Sequence, residues 1–119
     1  MEPVVKETGH PDEQFLNRLM GVIEDNLGNP DFNLAEMVSE IGMSRPVLFR
    51  KIKMLTGYSI MDLVRSVRLK KAKILLRQRA MTISEVAFTV GFSDPKHFSK
   101  TFRSEFGKSP SEYMDSVES

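Results

Sequence analysis

The chain carries the same short pattern twice. Residues 33–44, NLAEMVSEIGMS, return 49 positions later as residues 82–93, TISEVAFTVGFS. Each copy opens with a residue that can cap a helix, has Glu three positions later, and reaches a glycine after a short apolar stretch. The pattern predicts two short helices, each ending in a sharp turn at Gly42 or Gly91, where glycine can adopt a left-handed backbone.

A second helix is predicted after each turn. Asp94 is one extra residue, so the two copies continue at an offset of 50, which aligns Leu48 with Phe98 and Ile52 with Phe102. Ser44 and Asp94 are the expected N-caps of these helices, at about residues 45–56 and 95–106. Helix, turn and helix therefore occur twice, which is the helix-turn-helix arrangement whose second helix can enter the DNA major groove.

Residues 59–79, between the copies, contain no Gly or Pro and predict one long helix. At 100° per residue, its apolar residues fall on two faces. These are Ile60, Leu63, Val64 and Val67 in the first half, and Leu69, Ala72 and Leu76 in the second. Such a helix needs two partners. The alternative is a single amphipathic helix with uneven edges, which Ile74 favours because it returns to the first face.

The composition excludes several classes of site. With 119 residues, the chain is one domain or two small ones sharing an element. It has no Cys, which excludes disulfides and thiolate chemistry, and two His residues are a poor basis for a zinc site. No metal and no cofactor are predicted. There is no apolar run long enough to cross a membrane and no signal peptide pattern, so no membrane contact is expected.

Charge is distributed unevenly along the sequence. Residues 1–40 are acidic, whereas residues 41–108 contain fifteen basic and four acidic side chains, although the net charge of the chain is only +1. A basic segment within a folded pattern favours a polyanion as partner. A solvated surface of Lys and Arg is the alternative, and charge alone does not separate the two.

The outward faces of the two second helices are the candidate binding surfaces. One carries Pro46, Phe49, Arg50 and Lys53, and the other carries Lys96, Ser99, Lys100 and Arg103. Arg and Lys can donate hydrogen bonds to guanine or phosphate, and Phe49 can cover a thymine methyl group. Two residues have alternative interpretations: Phe49 as a side chain packed on the linker, and His97, at the edge of its face, as a solvated imidazole.

These features resemble the DNA-binding domain of the AraC/XylS family of bacterial transcription regulators. The resemblance covers about residues 12–114 and is carried by the doubled unit, the basic segment 68–76, and the run from Gly91 through Phe98, Phe102 and Phe106 to Tyr113. It implies an all-α fold of about seven helices, with two helix-turn-helix lobes joined by a long linker helix. The expected boundaries are 1–11 (disordered tail or linker end), 12–58 (first lobe), 59–79 (linker) and 80–116 (second lobe).

The resemblance also implies site residues. Base contacts are expected from Pro46, Phe49, Arg50, Lys96, His97 and Lys100, and phosphate contacts from Arg45, Lys53, Ser99 and Arg103. Pro46 and Phe49 depart from the polar residues often found at those positions, so hydrogen-bond readout in the first lobe rests on Arg50.

The predicted function is sequence-specific binding of double-stranded promoter DNA by a cytoplasmic transcription regulator, with two recognition helices in successive major grooves. RNA polymerase is a further candidate partner, and dimerisation is expected through regions outside this chain. Apolar spacing predicts a first helix over about residues 12–27. The stretch 15–32 resembles the version of this domain found at the C-terminus of hybrid two-component sensors. A helical protein-interaction adaptor that does not bind DNA is the alternative. An enzyme is the weakest interpretation, because activity would depend on His97 alone.

Overall fold

Helices form all of the regular structure in the part of the chain that the computed structural model describes, residues 10–29 and 34–117. The all-α prediction with about seven helices is thereby confirmed. The helices are α1 (Pro11–Asp25), α2 (Leu34–Ile41), α3 (Arg45–Thr56), α4 (Ile60–Gln78), α5 (Ile83–Thr89), α6 (Pro95–Phe106) and α7 (Pro110–Ser116). The predictions for residues 1–9 and for the cap at Asn33 lie outside the described residues.

Helix α1 is displaced slightly toward the N-terminus from its predicted span of about 12–27. It begins at Pro11 because His10 serves as the N-cap, its Nδ1 accepting the backbone N–H of Asp12 at 3.1 Å. It ends at Asp25 because the Asn26 side chain donates to the carbonyl of Val22 at 2.8 Å, which satisfies an acceptor of the last turn.

Internal contacts divide the described chain into two units, and the division falls within α4. Unit 1 holds residues 10–26 and 34–66, and unit 2 holds residues 27–29 and 67–117. Unit 1 buries apolar side chains from four helices. They are Phe15, Leu16, Leu19, Val22 and Ile23 of α1, Met37 and Ile41 of α2, Leu48 and Ile52 of α3, and Ile60, Leu63 and Val64 of α4.

Unit 2 has an aromatic core. The centroid of the Phe102 ring lies 5.7 Å from that of Phe98, 4.7 Å from that of Phe106 and 5.7 Å from that of Tyr113. These pairs have the tilted or edge-on geometries that aromatic rings prefer. Tyr113 is fixed in turn by Arg77, whose Nε donates to the phenol oxygen at 2.7 Å. The rest of the core consists of Leu69, Ala72, Leu75, Leu76, Val86, Ala87, Val90 and Phe92.

Helix α4 has the two buried faces that its sequence predicts. Ile60, Leu63 and Val64 are buried within unit 1, Leu69, Ala72 and Leu76 are buried in the core of unit 2, and Val67 is half-buried. Ile74 is 48% exposed, so the single-stripe alternative loses the residue that favoured it. The helix stops at Gln78, before the predicted end at Arg79, because Arg79 has a left-handed backbone with φ 54°.

The predicted turn glycines and two of the predicted caps are confirmed. Gly42 and Gly91 have φ values of 81° and 98°. Thr82 and Glu85 form a reciprocal capping box at α5, and the Asp94 carboxylate accepts the backbone N–H of Lys96 at 3.0 Å. Ser44 occupies the predicted N-cap position of α3, but its side chain makes no capping hydrogen bond.

This difference between the caps can be measured. Thr82→Ala removes the hydroxyl that accepts the Glu85 N–H at 3.1 Å and should lower the free energy of unfolding by ~1 kcal/mol. Ser44→Ala is the matched control. It should lower the free energy of unfolding by only about a few tenths of that ~1 kcal/mol, because it breaks no side-chain hydrogen bond. Urea unfolding of both variants checks the prediction, and equal losses would contradict it.

Candidate nucleic-acid interface

Helices α3 and α6 are built alike, one in each unit. Each has 12 residues, carries one Pro at its first or second position, and ends at a C-cap glycine. Each buries residues spaced four apart, Leu48 and Ile52 in α3, and Phe98 and Phe102 in α6, so the opposite face of the helix is turned toward solvent.

In unit 1, the outward face of α3 exposes most of the predicted contact residues. Arg45, Pro46, Arg50 and Lys53 are exposed, whereas Phe49 is half-buried. The Lys53 ammonium donates to the carbonyl of Gly57 at 3.0 Å, which holds its charge at the C-terminal end of α3. The structure therefore gathers these side chains on one helix and leaves Phe49 partly accessible.

In unit 2, α6 exposes Lys96, His97, Lys100 and Arg103, and Ser99 is half-buried. The His97 imidazole lies against the ring of Phe92, with 5.7 Å between ring centroids, so one side of it is held by the core. His97 therefore makes a specific contact within unit 2, which a fully solvated imidazole would not make.

Arg103 is attached to the next helix. Its Nη1 lies 3.7 Å from Oε1 of Glu112. The pKa of Glu112 is lowered from its ordinary value chiefly by hydrogen bonds from the Ser109 backbone N–H and hydroxyl, and then by the charge of Arg103. Glu112 thus stays ionised to below the usual pH range of a glutamate, and Arg103 keeps a charged neighbour.

Four cations of these helices have no partner among residues 10–29 and 34–117. Neither a hydrogen bond nor an ion pair engages Arg45 or Arg50 of α3, or Lys96 or Lys100 of α6, within those ranges. Other cations, including Lys51 of α3, make contacts within the fold. Arg18 donates to the Glu40 carbonyl, Lys51 lies over the Phe15 ring, Arg77 binds Tyr113, and Arg79 donates to the carbonyls of Met114 and Val117.

Two further residues of α3 point outward without having been predicted to do so. Val47 is 47% exposed and Met54 is 77% exposed. Together with Arg50 they contribute to the wall of a shallow depression on unit 1. The sequence did contain a signal for Val47, because the offset of 50 aligns it with His97, a residue already assigned to base contacts at the edge of the outward face of α6.

Other kinds of site find no support in the described ranges. Within them no three His, Asp or Glu side chains come together in a way that could hold a metal ion. None of the described helices is both long and apolar enough to span a bilayer.

Two helix-turn-helix units, each presenting unpaired cations on its second helix, define a DNA-binding helix-turn-helix protein. Comparison with known proteins gives the family. A family profile described as a helix-turn-helix domain matches residues 37–116. The chain belongs to the AraC/XylS family of bacterial transcription regulators and constitutes a DNA-binding domain of that family.

Similar proteins include a histidine kinase and a transcriptional activator. The chain is 38% identical over 104 residues to Histidine kinase P4 of Formosa agariphila, a match that covers 87% of this chain and 8% of that protein. It is 36% identical over 95 residues to the HTH-type transcriptional activator RhaS of Klebsiella pneumoniae, covering 80% of this chain and 34% of that protein. The chain thus spans only a minor part of these relatives.

A solved structure shows the same fold on DNA. The DNA-binding domain of AdpA, a global transcriptional factor, was determined in complex with a target DNA. It is 26% identical to this chain, with a TM-score of 0.77, and the match covers 85% of this chain and 89% of that domain.

Proposed function

We propose that this chain is the DNA-reading output domain of a bacterial transcription regulator, with α3 and α6 as recognition helices in successive major grooves. The observation that carries the proposal is the set of four cations, Arg45, Arg50, Lys96 and Lys100, that lie exposed on these helices without partners in the described ranges. A cation left unpaired while its neighbours are used for structure is available for a ligand, and a phosphate backbone supplies many anionic partners.

Each proposed contact follows from side-chain chemistry. Arg50 can donate two hydrogen bonds to O6 and N7 of guanine, and Lys96 and Lys100 can donate to the same atoms. His97 can donate or accept at a base edge, whereas Pro46 and Phe49 can offer only apolar contact. Phosphate contacts are assigned to Arg45, Lys53, Ser99 and Arg103, which position the helices without reading sequence.

The wider setting follows from the relatives. Histidine kinase P4 and the activator RhaS both extend far beyond the matched segment, which supports a regulator whose sensing and dimerisation functions lie in other regions. RNA polymerase is the partner expected for activation, and the cytoplasm is the compartment in which promoter DNA is found. The link to a two-component system rests on the similarity to Histidine kinase P4.

A footprint on DNA selected from a random pool tests the proposal. We expect protection of two half-sites, since each unit has its own recognition helix. Binding should weaken steeply as salt rises, because phosphate contacts release counterions. An absence of protected bases at low salt would reject the DNA-binding role and favour the adaptor alternative.

Phosphate and base contacts should respond differently to mutation. Lys53→Ala and Arg103→Ala should each weaken binding to selected and random duplexes by the same factor, and each should reduce the slope of log K against log salt by about 1. Titrations on both duplexes at several salt concentrations measure this. A loss confined to the selected duplex would instead assign the residue to base reading.

A further inference from the structure

The two recognition helices expose equivalent positions. At the offset of 50, six outward positions of α3 have the same degree of burial as their counterparts in α6. The exposed pairs are Pro46 with Lys96, Val47 with His97, Arg50 with Lys100, Lys53 with Arg103 and Met54 with Ser104, and the half-buried pair is Phe49 with Ser99. The same surface is therefore available in both units.

The chemistry of the two surfaces differs. In α6 all six of these positions are polar or charged, whereas in α3 the two cations, Arg50 and Lys53, stand among apolar side chains. Single exposed apolar residues are ordinary on a protein surface, but several on one helix face indicate a binding surface. Here Val47 and Met54 border the shallow depression that Arg50 also lines.

We infer that α3 reads thymine through its 5-methyl group, using Val47 and Met54 on either side of Arg50, while α6 reads hydrogen-bonding groups. This inference rests on the proposed function. Thymine presents a methyl group in the major groove, an apolar feature that the other three bases lack. Burying that methyl against Val47 or Met54 removes apolar surface of both molecules from water.

The spacing fits successive base pairs. Val47, Arg50 and Met54 follow i, i+3, i+7 spacing, which places them along one stripe of the helix. The seven residue-to-residue steps from Val47 to Met54 rise about 10 Å at ~1.5 Å per step, the length of about three base-pair steps. A cation with an apolar residue on each side can therefore meet a guanine with thymines nearby, whereas α6 offers no such apolar pair.

Removal of single methyl groups from DNA tests the inference. A duplex is first selected from a random pool with the unaltered chain, and each of its thymines is then replaced in turn by deoxyuridine, which lacks only the 5-methyl group. We expect at least one thymine in one half-site at which binding weakens by about fourfold, the factor that corresponds to one buried methyl-sized group. Thymines in the other half-site should tolerate the change.

The variants Val47→Asn and Met54→Gln identify the residues responsible, because neither new side chain ends in a methyl group. Both are similar in size to the residues they replace and alter exposed positions, so folding should be retained, which thermal unfolding checks. In the double variant, the sensitive thymine should become indifferent to deoxyuridine. Ser104→Ala, at the position of α6 that matches Met54, is the control and should leave the pattern of thymine sensitivity unchanged.

The outcomes separate two failures. If no thymine responds, or if the double variant responds as the unaltered chain does, the thymine inference is overturned and the apolar surface of α3 serves some other partner. If the unaltered chain enriches no sequence at all, the proposed function itself fails. Selective DNA binding with no methyl dependence would thus reject the inference and retain the function.

Discussion

Replacing Gly91 by alanine should destabilise the chain by about 3 kcal/mol, well beyond the effect of the same replacement at the equivalent turn in unit 1. Gly91 has φ 98°, which costs any residue with a Cβ about 1–2 kcal/mol. The added Cβ would also overlap the carbonyl oxygen of Leu27 and lie 2.9 Å from Nε of Arg68. Neither group can withdraw easily, since one is backbone and the other belongs to a half-buried side chain.

Gly42→Ala is the matched control. Its φ of 81° imposes a similar backbone cost, but nothing lies within 4 Å of the added Cβ, so we expect a loss of about 1 kcal/mol. Urea unfolding of both variants provides the comparison. Equal losses would show that the backbone angle alone sets the cost at Gly91 and that its close neighbours adjust freely.

The double variant Arg50→Ala, Lys100→Ala should lose most of its preference for a selected site. Each side chain is expected to contribute ~1–3 kcal/mol of discrimination through base contacts. The two residues lie in different units, so their effects should add. The combined loss on the selected duplex is then about 30-fold or more, while binding to random duplexes falls much less. Competition titrations between the two duplexes measure the ratio directly.

Lys71→Ala is a suitable control for charge alone. Lys71 is exposed on α4 and belongs to neither recognition helix, so its removal should affect the selected and random duplexes to a similar, small extent. If the double variant lost affinity equally on both duplexes, Arg50 and Lys100 would be phosphate contacts, and specificity would have to reside elsewhere on α3 and α6.

Local sequence predicted the helices well because their end signals are local. The capping box of Thr82 and Glu85, the cap at Asp94 and the left-handed turns at Gly42 and Gly91 all depend on residues within a few positions of each other. Ser44 shows the limit. It has the right residue type at the right place, yet its hydroxyl makes no capping bond, which residue type and position alone do not reveal.

The candidate site was predicted less completely than the fold. Helical spacing placed Arg50, Lys96 and Lys100 outward, as the structure has them, but it also placed Phe49 outward and overlooked Met54. Spacing gives the angle of a side chain about its helix. The width of the buried face depends on neighbouring helices, and it extends far enough to cover half of Phe49.

By itself, the sequence determined a doubled helix-turn-helix, its turns and caps, the two buried faces of α4, and the family. These are consequences of periodicity and short-range chemistry. Only the tertiary structure decided which cations are engaged in contacts within the fold. Arg68 donates to the carbonyl of Asn29, 39 residues away, and Arg77 to Tyr113, 36 residues away, whereas Arg50 and Lys100 find no partner in the described ranges. The difference arises because folding brings hydrogen-bonding groups from distant parts of the chain to some charged side chains and not to others.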